Sequence, residues 1–143
     1  MSSDKFMLET LHLGDNEFTE VGVKLLAEWL ESSTGLDKLF LNDNEMGQEG
    51  LSYISEALCC NKSLKFLSLA ACGIIDEMFK PMLASLSVNE TLESLHIWGN
   101  LLTNNTSDLL IEVLKKHNHV LTDLQVFSNP IDDYEGFKSV RGS

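Results

Sequence analysis

Positive charge is scarce in this sequence: 10 basic residues stand against 22 acidic ones over 143 residues, and Arg141 is the single arginine. A net charge of −12 repels phosphate backbones, which excludes nucleic acid as a natural partner and favours a basic protein surface. Long apolar runs are also missing. No stretch reaches the roughly 18 residues needed to cross a bilayer, and Met1 to Lys5 is polar where a secretory signal would carry a basic and then an apolar segment. The expectation is a soluble cytoplasmic chain with no membrane partner. Three cysteines, Cys59, Cys60 and Cys72, cannot all pair, and two of them are adjacent, which is a poor disulfide framework. A reducing compartment follows, and the glycosylation sequons at Asn61, Asn89, Asn104 and Asn105 carry no weight there.

Motifs of catalysis are equally absent. There is no HExxH, CxxC, glycine-rich phosphate loop or nucleophile elbow, so no enzyme, metal or cofactor is expected. His12 and His96 lie three repeats apart in the scheme below, about 14 Å at ordinary strand spacing, and so cannot share a metal ion. His117 and His119 belong to one loop, and Cys59 and Cys60 end a helix with no histidine in the pattern to activate a thiolate.

What is present is a long repeat. The pattern LxxLxLxxN, with an apolar residue two positions later, begins at Leu8, Leu36, Leu64, Leu92 and Leu121, at spacings of 28, 28, 28 and 29 residues. The LxxLxL part alternates as a short strand does, and the second half of each repeat changes to helical spacing, as at Gly22, Leu26 and Leu30. A lone strand and helix cannot bury their apolar faces, whereas stacked copies share one core, with parallel strands inside the curve and helices outside it. The Asn that closes the pattern (Asn16, Asn44, Asn100, Asn129; Cys72 in the third repeat) is expected to bond backbone groups left unpaired where the strand turns toward the helix. Pro81, in the third helical half, is expected to mark that helix's first turn or to shorten it.

Repeats of 28 and 29 residues with LxxLxLxxNxL, followed by Gly and two Leu at four-residue steps, resemble the ribonuclease-inhibitor-like subfamily of leucine-rich-repeat proteins. Ribonuclease inhibitors, the sensing domains of nucleotide-binding oligomerisation-type receptors, tropomodulins and the Ran GTPase-activating protein share that pattern. The resemblance implies an α/β fold: a right-handed βα horseshoe segment of about five repeats, forming one domain over residues 1–143. It is specific for fold and not for function.

Because strand side chains alternate, the residues between and after the leucines face the concave side. They form three columns: Thr10, Lys38, Phe66, Ser94 and Asp123; His12, Phe40, Ser68, His96 and Gln125; Gly14, Asn42, Ala70, Trp98 and Phe127. Phe40, Phe66, Trp98 and Phe127 thus stand where this architecture puts solvent. An aromatic cluster with a polar surround of His12, Lys38, His96, Asp123 and Gln125 has the composition of a protein-binding hot spot, and mutual shielding of the rings is the plainer alternative. Asp15 is expected over Asp43 and Glu17 over Glu45, an acidic edge whose default reading is a solvated one.

The function expected is therefore protein binding through the concave face. Two alternatives stand beside it. No polar capping repeat is visible, so the chain is a piece of a longer repeat protein, associates with itself through its ends, or tolerates one exposed end. The likeness to a GTPase activator raises a regulator of a small GTPase, for which Lys38 is the one candidate cation.

Overall fold

The computed structural model describes residues 8–132 and 134–141. Strands of three residues alternate with helices: β1 (Thr10–His12), α1 (Glu20–Ser32), β2 (Lys38–Phe40), α2 (Gly47–Cys60), β3 (Phe66–Ser68), α3 (Asp76–Val88), β4 (Ser94–His96), α4 (Asn104–Lys116), β5 (Asp123–Gln125) and α5 (Glu135–Arg141). The strands form one parallel sheet in sequence order, and each pairs with the next in the repeat's own register, as in Leu11 with Leu39 and Leu39 with Leu67. This is an α/β leucine-rich-repeat solenoid, with the sheet on one side and the helices on the other.

The leucine positions fill the interior. Leu36, Leu39, Leu41, Leu64, Leu67, Leu69, Leu92, Leu95 and Ile97 are fully buried, and helix residues such as Leu30, Ile54, Leu58, Phe79 and Leu86 close over them. Residues of the first repeat, Leu8, Leu11, Leu13, Phe18 and Leu26, pack on this core and remain partly exposed.

Asparagines hold the turns. Asn100 accepts from the backbone N–H groups of Cys72 and Ile74 at 2.9 and 3.1 Å, and donates to the carbonyls of Leu69 and Ile97 at 3.0 and 2.9 Å. Asn44, two repeats earlier, does the same, and Asn129, one repeat later, accepts from the Leu102 N–H and donates to the carbonyls of Ile97 and Val126. Cys72 fills the place in the third repeat with weak contacts from its thiol to the carbonyls of Leu41 and Ala70, at 3.3 and 3.4 Å. Burial pushes that thiol's pKa up to about 11.

A second asparagine ladder runs along the helix ends. Asn61, Asn89 and Asn118 each donate to a carbonyl near the end of the preceding repeat's helix (Leu30, Leu58 and Leu86, 2.8 Å in each case) and accept from the N–H groups two and three residues onward. These carbonyls are among those a helix leaves unpaired at its C-terminus. Asn61 and Asn89 are buried in these networks, so two of the four sequons are structural elements.

Pro81 corrects an expectation. It lies inside α3, five residues past the helix start, and α3 spans 13 residues, as many as α1 and α4. Pro81 therefore neither marks the first turn nor shortens the helix. Sitting at the end of the second turn, it removes one N–H and leaves the earlier bonds intact.

Candidate functional site on the concave face

The concave columns hold a line of stacked rings. His12 lies 4.1 Å from Phe40 between ring centres with the planes 16° apart, Phe40 lies 4.7 Å from Phe66, and Phe66 meets His96 edge-on at 4.7 Å. The line crosses four strands. It ends on Asp123 in β5, whose Oδ2 is 3.1 Å from His96 Nε2. His12 and Phe40 are in direct register, whereas Phe66 lies one column over, so its contacts with Phe40 and His96 are diagonal ones that long side chains reach. Beyond this line, Trp98 and Phe127 stack with planes 5° apart and centres at 5.6 Å.

Each ring therefore shields its neighbour and still shows a face. Phe40, Phe66, His96 and Trp98 are half-buried, His12 and Lys38 are exposed, and Phe127 is 51% exposed. Ser68 and Ala70 depart from the expected outward columns, at 4% and 0% exposure. Ser68 is in register between Phe40 and His96, and small side chains flanked by large ones are covered by them.

Asp123 is the polar hub. Ser94 Oγ donates to its Oδ2 at 2.5 Å and Gln125 Nε2 to its Oδ1 at 2.8 Å, beside the His96 contact. Burial pushes its pKa up, but the bonds from Ser94, Gln125 and His96 outweigh that and hold the carboxyl below the ordinary aspartate value. A fixed negative charge thus stands at the end of a line of aromatic faces.

The acidic edge is exposed at Asp15, Glu17, Asp43 and Glu45. Two of these carry a conformational reason for their identity: Asp15 and Asp43 have φ of 55° and 59°, and the equivalent residues Ala71, Gly99 and Ser128 have φ of 53°, 70° and 57°. Every repeat turns through the left-handed region there, which aspartate tolerates better than most residues. Glu17, Glu20, Asp43 and Glu45 line an open groove with Phe18 and Met46. Among the described residues no group of three or more His, Cys, Asp or Glu side chains is placed to hold a metal ion, and no helix is long and apolar enough to cross a membrane. Cys59 and Cys60 are exposed free thiols, and the Cys59 thiol lies 3.5 Å from Ser85 Oγ.

Comparison with known proteins agrees with the repeat geometry. Residues 5–27 and 117–133 match a family model described as a leucine rich repeat. The chain is a leucine-rich-repeat protein of the ribonuclease-inhibitor-like type. Over 129 residues, 89% of its length, this repeat protein is 33% identical to the NACHT, LRR and PYD domains-containing protein 4C of Mus musculus, and it spans 13% of that relative's length. Among solved structures, the leiomodin-1 actin-binding site 2 superimposes with a TM-score of 0.76 at 18% identity, covering 94% of this chain and 79% of that one. The tropomodulin C-terminal domain of Caenorhabditis elegans does so with a TM-score of 0.60 at 17% identity, covering 84% and 89%. Both likenesses concern the fold.

The sequence reading placed His12 and His96 among the polar surround, whereas the structure makes them rungs of the ring line. The signal was available for His12, which is in register with Phe40 on the adjacent strand, whereas His96 meets the line through a diagonal contact with Phe66.

Proposed function

We propose that this leucine-rich-repeat segment is a cytoplasmic protein-binding module, not an enzyme, and that its partner lies on the concave face. The observation that carries this reading is the ring line His12, Phe40, Phe66 and His96 with the Trp98 and Phe127 pair beside it, half-exposed on the inner side of the sheet. Pre-stacked rings lose little freedom on binding and offer large apolar area, the features that concentrate binding energy at a few residues. Asp123 and Gln125 at one end and Lys38 beside Phe66 supply polar contacts that fix register, and the acidic balance favours a basic partner surface. The leiomodin-1 neighbour is an actin-binding site, which supports a protein as the ligand. Free exposed thiols at Cys59 and Cys60 support a reducing compartment.

The test is retention of proteins from cell extract by the wild-type chain and by a Phe40→Ala, Trp98→Ala, Phe127→Ala variant of verified fold. A protein held by the wild type alone places the partner on this face. Equal retention by both removes the concave face from the site. Trp98→Ala by itself is expected to cost about 2 kcal/mol of binding to such a partner.

A further inference from the structure

The outer surface of α1 differs from that of every later helix. Val21, Leu25 and Trp29, at four-residue spacing, form one stripe and are 66%, 63% and 42% exposed. The stripe continues into Leu26 and Phe18, which lie partly exposed on the core at the solenoid's first-repeat end.

Position 29 recurs one repeat later as Ala57, then as Ser85 and Val113, all small or medium and all buried. Its role there is plain from Ser85, whose hydroxyl donates to the Ser55 carbonyl of the preceding helix. This is the position at which each helix meets the one before it. An indole in the same place holds a neighbouring helix farther out than the repeat pitch, so the face fits an occupant not bound to that pitch.

The charges around the stripe have one sign. Glu28 flanks it on α1, and Glu17, Glu20, Asp43 and Glu45 line the groove over Phe18 and Met46 that opens at the N-terminal end of the same helix. The one lysine of α1, Lys24, is turned away toward the Tyr53 ring, 5.8 Å from its centre. A second copy docked here would set these carboxylates against their own equivalents.

We propose that the first-repeat end of the solenoid docks an amphipathic helix of a partner protein, its apolar face on Val21, Leu25 and Trp29 and its flanking lysines or arginines on the surrounding carboxylates. This surface lies on the helical side, apart from the concave rings, and the proposal stands or falls independently of them.

The probe is a fluorescently labelled synthetic helix of about 18 residues with leucines along one face and lysines beside them, compared with a peptide of the same composition and scrambled order. Anisotropy titrations use the full chain. In a Trp98→Phe background Trp29 is the single tryptophan, and its emission is expected to shift to the blue as the ordered peptide saturates at one per chain. Leu25→Asp, at an exposed position, is expected to weaken binding by about tenfold or more. A combined Glu17→Gln, Glu20→Gln, Glu28→Gln variant is expected to weaken it and to flatten its salt dependence. The Phe40→Ala, Trp98→Ala, Phe127→Ala variant is expected to bind the peptide as the wild type does. Equal binding of the scrambled peptide, wild-type binding by Leu25→Asp, or sedimentation as a dimer that Leu25→Asp converts to monomer would each overturn the proposal, the last in favour of a second copy.

Discussion

Replacing Cys72 with asparagine should stabilise the protein, although it changes a buried residue. In the neighbouring turns the asparagine oxygen accepts two backbone N–H groups from the repeat before it: Asn16 and Phe18 for Asn44, Cys72 and Ile74 for Asn100. The equivalent donors facing Cys72 belong to Asn44 and Met46, and a sulfur is a weak acceptor for them. A net amide hydrogen bond is worth about 1 kcal/mol, and part of that is already recovered at sulfur, so Cys72→Asn should gain about 1 kcal/mol. Urea unfolding measures it, with an unchanged m-value showing that the folded and unfolded states keep their exposure. The thiol adds a second reading. Its pKa is about 11 in the folded protein against 9.0 for the free group. The unfolded chain therefore releases this proton first, and stability present below pH 9 is lost as pH rises toward 11, by about 2 to 3 kcal/mol. The asparagine variant lacks that group, so its stability should fall less over the same interval. A variant less stable than wild type by more than about 1 kcal/mol at neutral pH would refute the ladder reasoning, because it would mean that this turn is shaped around sulfur and not around an absent amide.

Two further outcomes follow from the same networks and from the hub of the concave face. Asn100→Ala strips five bonds, the one to the Trp98 carbonyl long at 3.4 Å, from a buried turn and should cost about 3 to 5 kcal/mol, whereas Asn16→Ala, whose exposed amide holds only the Gly14 carbonyl at 3.0 Å, should cost under about 1 kcal/mol; thermal and urea unfolding of the pair decide whether the ladder depends on neighbours at each side. The Asp123 carboxyl should titrate below the ordinary aspartate value by NMR and move upward in Ser94→Ala, and the stability linked to it should be present above that ordinary value and lost as pH falls through the lowered one. An unmoved Asp123 midpoint in Ser94→Ala would remove the hydroxyl as its anchor.

Much of this fold was legible because one period governs it. The LxxLxL positions can only point inward if they are to be shared between stacked strands, and the same phase puts Trp98 and Phe127 side by side in one column. Diagonal contacts were less legible. Phe40 and Phe66 are a step apart along neighbouring strands, roughly 8 Å by backbone spacing, yet their ring centres are 4.7 Å apart, since long side chains lean along the strand and close the gap. The Phe66–His96 contact needs the same lean, whereas His12 is in direct register with Phe40 and column assignment alone places it beside that ring. The second ladder was hidden for a different reason. Asn61, Asn89 and Asn118 recur at the repeat spacing three residues before Leu64, Leu92 and Leu121, but two of them also spell glycosylation sequons, and Ser33 breaks the series in the first repeat.

That break at Ser33 bears on how strongly the first repeat is tied to the rest. In the later repeats a buried asparagine amide links one helix end to the next, and Asn61 still reaches back to the Leu30 carbonyl and, at 3.3 Å, to that of Ser33. Ser33 itself offers only its backbone to this network, and Asn16 at the opposite end of the repeat reaches no farther than Gly14. The first repeat is thus held from one side by both ladders, while its leucines remain partly exposed on the other. In a stack where stability is a sum of repeat and interface contributions, such an end opens at lower free energy than the middle. Hydrogen exchange would read this directly: amides of α1 should exchange faster than those of α2 and α3, and a ligand seated on Val21, Leu25 and Trp29 should slow α1 most. If α1 is protected as strongly as α3 in the free chain, the first repeat is anchored by something other than the ladders and the shared core.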